Sequence, residues 1–195
     1  MPNGYQYDDT DMDFDDHEDC IHGWPEGHFT DEELENTPDR ISRFREEWRE
    51  KREYDKFTTF PNPGYDQMVT LKDIEFYSVC AHHLLPFTGH AHIAYIPGEE
   101  VLGISKLARI VDKFASRPQS QERLTHQIVD FMEGVVDPKG VMVVIEGSHQ
   151  CMTMRGVAKQ DSTMQTSAVR GYFAVPPTGK NPREEFLALL RTGGE

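Results

Sequence analysis

Cys80-Ala81-His82-His83 is answered far downstream by His149-Gln150-Cys151. A chain that must bring these two clusters together has little freedom in how the stretch between them folds. The sequence holds three cysteines, and two of them sit beside histidines in these clusters. Cys80, His83 and Cys151 combine soft sulfur and imidazole donors into a three-ligand zinc set. Structural zinc usually takes four protein ligands, whereas a catalytic zinc keeps its fourth position for water. His82 and His149 are then left beside the metal, free to move protons. The plainer alternative, cysteines and histidines as ordinary core residues, requires two uncommon spacings to coincide in a cysteine-poor chain.

A chain of 195 residues can bury one good core and is expected to form one catalytic domain, 30–195, behind an acidic arm, 1–29. The net charge of −14 is concentrated in that lead. Fourteen of the 34 acidic residues precede Arg40, the first basic one, so 20 acidic and 20 basic residues remain from Arg40 onward. A balanced body gives no electrostatic footprint for nucleic acid. No run approaches the ~18 apolar residues that span a bilayer. The N-terminus has neither the basic start nor the apolar run of a signal peptide. Together with metal-claimed cysteines, this points to the cytoplasm. His17, Cys20, His22 and His28 read as part of a solvated arm rather than a second metal site.

Elements follow from period and punctuation. Thr30 with Glu33 has the form of a capping box. Thr37-Pro38 opens a helix with Ile41, Phe44 and Trp48 on one stripe. Two strands, about 68–79 and 88–97, flank the first Cys/His cluster. Helices are expected from near Ser105, with Leu107, Ile110, Val111 and Phe114 inward, and from about Gln119, with Leu124, Ile128 and Phe131 inward. Val141–Ile145 reads as a buried strand, 164–175 as its partner, and Asn181-Pro182 as the start of a terminal helix. Strand pairs separated by a helical pair predict an α+β fold with a four-stranded antiparallel sheet. Its open edges favour oligomerisation.

Several side chains suit a purine triphosphate. Ser105 and Lys106 open a helix, with Arg109 one turn on, and helix N-termini attract phosphate. Arg155 adds a planar fork for phosphate oxygens. Glu122, beside Gln121, has the carboxylate geometry to accept two hydrogen bonds from a guanine edge. Its plainer use is an acid in a helix's first turn. His90 and His92 read as sheet residues, and Met152, Met154 and Met164 as packing.

The run Cys80–Gly89 (CAHHLLPFTG), then Ala94–Pro97 (AYIP) and Gly103–Val111 (GISKLARIV), resembles the GTP cyclohydrolase I family. The resemblance continues through Arg117-Pro118-Gln119, Gln121–Thr125, His149–Met152 and Met154–Val157, and covers about 37–191. It implies a tunnelling fold, ββααββ, with helices on one face of the sheet, assembled as a toroidal homodecamer. The implied reaction converts GTP and water to formate and 7,8-dihydroneopterin triphosphate, from which folate, biopterin and deazaguanine routes start. By this similarity Cys80, His83 and Cys151 hold Zn2+, which activates water for attack on C8 of guanine. His149 protonates N7, His82 is a second proton carrier, and Ser105 serves the later rearrangement. Gln121 and Glu122 anchor guanine, while Lys106, Arg109 and Arg155 contact the triphosphate. Arg40 and Arg43 match a basic pair supplied by a neighbouring subunit.

One position departs from the family pattern: Ala81 stands where Cys-Glu-His-His has glutamate. The ligands survive, but a carboxylate beside them is gone. The sequence also leaves room for a same-fold enzyme that takes another purine triphosphate or opens the ring without reclosing it. A catalytically silent nucleotide-binding subunit is the remaining reading.

Overall fold

The computed structural model describes residues 35–179 and 181–191. The expected arm, with its histidines, Cys20 and the Thr30/Glu33 capping box, lies outside the described residues. The chain divides into two compact units, one ending at Glu47 and one running from Trp48. Helix α1 (Thr37–Glu53) crosses that division. It begins slightly earlier than Thr37-Pro38 suggests, because the Asn36 carbonyl already accepts from the Arg40 N–H at 3.2 Å. Its apolar stripe exists, but no residue of α1 is buried, and Phe44 is 49% exposed.

From Trp48 onward the order is β1 (Thr59–Pro61), β2 (Val69–Cys80), β3 (Pro86–Ile96), β4 (Glu100–Leu102), α2 (Ile104–Ala115), β5 (Pro118–Gln119), α3 (Gln121–Val136), β6 (Gly140–His149), α4 (Gln150–Thr153), β7 (Met164–Gly171) and α5 (Pro182–Arg191). The expected four antiparallel strands are present, in the order β2-β3-β6-β7. Two-residue β5 adds a fifth, parallel to the end of β2, and β1 pairs with β4 in a separate ribbon. These short pairings escaped the sequence reading because two or three residues carry no period.

The unbroken apolar run of β6 follows from burial on both faces. Val141, Val143 and Ile145 join the core under α2 and α3, with Phe76, Phe87 and Ile93 from neighbouring strands. Leu107, Ile110, Leu124 and Ile128 supply the helical side, each contributing about 1.5–3 kcal/mol when fully buried. Met142 and Val144 point the other way, into a second cluster with Ala94, Phe173 and Phe186 of α5. Helices α2 and α3 thus share one face, and α5 covers part of the other.

Register matters for the site. Phe87 pairs with His149 across β3 and β6, so this ladder brings the end of β6 beside the β2–β3 turn. The register slips between Leu71 and Ile74, and Asp73 takes a positive φ of 59° there. The Asp73 N–H, displaced from the ladder, donates to Nδ1 of buried His92 at 3.1 Å. That bond needs a neutral ring, and burial holds the His92 pKa below its ordinary value, against the opposing Asp73 charge. A depressed histidine pKa means the unfolded chain takes up the proton first. Stability is therefore full above about pH 6.5 and falls as pH drops toward the folded-state value. His92→Asn, which keeps an acceptor and removes the proton site, should flatten urea-melt stability between pH 7 and 5. Parallel pH dependences for the two proteins would remove His92 from this role.

Candidate functional site

The turn between β2 and β3 is tight. Leu84 adopts a positive φ of 52°, and its N–H donates to the Cys80 carbonyl at 2.8 Å. The Cys80 N–H donates to Leu85, and the Ala81 N–H to Gln119, holding the turn against β5. Both His82 and His83 then place Nδ1 3.8 Å from the Cys80 sulfur. Ala81 itself is exposed.

From the other side, β6 delivers His149 and the short α4 delivers Cys151. Among the described residues, one ligand atom each from Cys80, Cys151 and His149 lies within 4.8 Å of the others. His83 is not in that compact group, which differs from the expected Cys80/His83/Cys151 set. The turn brings both of its histidines equally close to Cys80, whereas the β3–β6 register aims His149 directly at the cysteine pair.

His149 is held by two neighbours. Its ring stacks on Phe87 with centroids 4.4 Å apart and planes 5° from parallel. Nε2 lies 2.9 Å from Oε1 of Gln121. The Gln121 amide has one allowed orientation, since its Nε2 donates to the carbonyls of Ile145 at 3.0 Å and Met164 at 2.9 Å. Its oxygen must therefore accept, so His149 carries its proton on Nε2 and leaves Nδ1 as the basic nitrogen. Burial keeps the His149 pKa below its ordinary value, opposed by the Glu122 carboxylate. Gln121 is 1% exposed and both ends of its amide are engaged. That is a different use from the expected guanine contact. Gly147 permits it, because a Cβ there would meet the Gln121 oxygen.

Cys80, Gln121, Gly147, His149 and Cys151 line a cavity of ≈ 330 Å³ with His82, His83, Ser120, Glu122, Met152, Ser162, Thr163 and Met164. Glu122 stands exposed in the first turn of α3, whose N-cap Ser120 accepts from the Arg123 N–H at 3.2 Å. Ser162 and Thr163 carried no sequence signal, lying in an irregular stretch. Met152 and Met164 line the cavity rather than only packing, and Met154 is 64% exposed. His90 and His92 sit on β3, as expected.

The expected phosphate residues lie outside this cavity's lining. Ser105 and Lys106 start α2, whose N-cap Gly103 provides no side-chain cap, so its end keeps donors for an anion. Arg109 follows one turn on. Exposed Arg155 is near enough for its charge to act on Cys151. Burial and the adjacent Cys80 push the Cys151 thiol pKa up, and Arg155 pulls it back. Arg40 and Arg43 are exposed on α1, in the unit ending at Glu47; the Arg43 Nε donates to the Asp39 carbonyl at 3.4 Å.

An antiparallel sheet with two helices on one face and a Cys/His cluster at its strand ends is the arrangement expected of the tunnelling-fold class. The family model for GTP cyclohydrolase I matches residues 24–191. The chain is 51% identical over 160 residues to GTP cyclohydrolase 1 of Aquifex aeolicus, covering 82% of this chain and 85% of that one. It is 48% identical over 162 residues to the protein of that name from a Sulfurihydrogenibium species, covering 83% and 84%. With the Wolinella succinogenes protein of that name it shares 54% identity over 134 residues, covering 69% and 70%. This chain belongs to the GTP cyclohydrolase I family.

Proposed function

We propose that the cavity between Cys80, Cys151 and Glu122 turns GTP and water into formate and 7,8-dihydroneopterin triphosphate, with zinc held by Cys80, Cys151 and His83. The observation that carries this reading is the convergence of the Cys80 and Cys151 thiols with the His149 imidazole within 4.8 Å beside a carboxylate, with His83 Nδ1 held 3.8 Å from the Cys80 sulfur. The donors fit the ion: sulfur and imidazole are zinc's preferred ligands. Burial, together with the nearby Cys80, holds the Cys151 thiol pKa up, and a divalent cation favours the ionised thiols. When bound, zinc supplies a Lewis-acid centre that makes water nucleophilic near neutral pH.

The protein's own groups do the rest. Glu122 accepts the guanine ring N–H and amine, placing the imidazole half of the base toward the cysteines. His149, held by Gln121 and Phe87, passes a proton at N7 while water adds at C8. His82 moves a second proton as the opened ring loses C8 as formate. Ser105 serves the rearrangement that precedes reclosure. Lys106, Arg109 and Arg155 hold the triphosphate. Gln121 fixes the His149 ring in the substrate-free enzyme, so the guanine contact falls first to Glu122.

Arg40 and Arg43 complete the phosphate site of a neighbouring copy in a homodecameric ring. The sheet edge at β7 supports assembly, since its backbone groups pair with no further strand among the described residues. A hollow of ≈ 600 Å³ along that edge, lined by Met142, Val144, Arg170 and Leu187, gives a neighbour apolar surface to cover. Among the described residues no helix is long and apolar enough to cross a membrane. Thiols that must stay reduced to bind metal suit the cytoplasm.

Incubation with GTP should release formate and a pterin, fluorescent after oxidation, in equal amounts. Formate without pterin would mean ring opening without reclosure. Neither product would leave a silent nucleotide-binding subunit.

A further inference from the structure

The last turn of α1 and the residues just after it are pinned along α2. Lys113 Nζ donates to the carbonyls of Arg52 at 2.8 Å and Tyr54 at 2.9 Å. Lys51 meets Asp112 at 3.4 Å. Phe57 packs edge-on against Phe131, at 4.9 Å between centroids, and against Tyr54, at 5.2 Å. Tyr54 is thereby fixed beside the first turns of α2, half-buried.

Its two chemical faces are both used. The Tyr54 hydroxyl donates to the Lys56 carbonyl at 2.8 Å, so its oxygen is oriented to accept, and Lys106 Nζ donates to it at 2.7 Å. The Arg109 guanidinium lies over the same ring, 4.5 Å from the centroid. Two long cations on one helix face would otherwise repel each other and sample many rotamers, an entropy any anion must then freeze out. A guanidinium held over a ring by cation–π attraction can keep its N–H edge, the edge that forks a phosphate, turned outward. Lys106 spends one of three donors on Tyr54 and keeps two.

We propose that Tyr54 is a positioning residue for the phosphate end of the substrate, holding Lys106 by its hydroxyl and Arg109 by its ring so that both cations are aligned before GTP arrives. The inference rests on giving Lys106 and Arg109 to the triphosphate. It predicts that Tyr54 acts on binding more than on chemistry, because neither contact reaches the reacting carbon.

The test is steady-state kinetics with GTP on Tyr54→Phe, Tyr54→Leu, Lys106→Ala, Arg109→Ala and the Tyr54→Phe/Lys106→Ala pair, with inhibition by inorganic tripolyphosphate and thermal melting alongside. Tyr54→Phe should raise KM about tenfold, the scale of a lost hydrogen bond to a charged group. Tyr54→Leu should raise it further, and kcat should fall much less in both. Tripolyphosphate should weaken in parallel. The double variant should be little worse than Lys106→Ala alone, since both remove one interaction. If Lys106→Ala and Arg109→Ala raise KM while both Tyr54 variants keep the parent value, Tyr54 positions nothing. Additive losses in the double variant, or kcat and melting temperature falling with no separate change in KM, would also overturn the role. If Lys106→Ala and Arg109→Ala leave KM unchanged, the phosphate assignment itself falls, and the inference with it.

Discussion

His83→Ala should emerge from purification without zinc, whereas His149→Ala should keep zinc and lose turnover. The first variant leaves Cys80 and Cys151 alone to hold the ion. Losing a direct ligand should cost more than the roughly 10- to 100-fold typical of a residue that only supports one. The second leaves the proposed ligands intact and removes a proton carrier, worth about 100- to 10,000-fold in kcat. The pair of variants discriminates because Cys80, Cys151 and His149 form the compact group, while His83 Nδ1 lies 3.8 Å from the Cys80 sulfur outside it. Zinc lost from His149→Ala and kept in His83→Ala would make the compact group the metal site. His83 would then be the candidate for moving protons.

Gln121→Leu should strike activity and stability together. The substitution strips a hydrogen bond from the His149 ring and leaves the carbonyls of Ile145 and Met164 without that donor in a buried setting. Each unsatisfied group costs about 1–3 kcal/mol, so the melt should shift visibly. Freed from Gln121, His149 can exchange tautomers, and kcat should fall by at least about tenfold. Gly147→Ala separates the two effects, because its methyl would meet the Gln121 oxygen and leave the amide's donor side alone. Turnover should drop in that variant too, with a smaller loss of stability. Parent-level kcat in both would show that the Gln121–His149 bond is not used.

Much of this arrangement is legible in the sequence. The helical spacing of Leu107, Ile110 and Val111, and of Leu124 and Ile128, marks residues that are in fact buried. The paired Cys/His clusters mark a site because their chemistry is local and rare. What stayed hidden depends on register and partners. The family resemblance gives Gln121 to guanine, and only the carbonyls of Ile145 and Met164 reveal that its amide is turned toward His149. Tyr54 follows a charged helix with no motif around it, and its value comes from Lys106 and Arg109, far along the chain. The stripe of Ile41, Phe44 and Trp48 has helical period, yet period says nothing of what covers it.

Everything proposed for the cavity depends on a zinc held by Cys80 and Cys151. Titrating metal-free protein with zinc while recording formate release tests it most directly. Activity should rise in proportion to added zinc and level at one ion per chain, with Cys151→Ala neither binding the ion nor gaining activity. Formate released at full rate by protein shown to be free of zinc, or by Cys151→Ala, would contradict it.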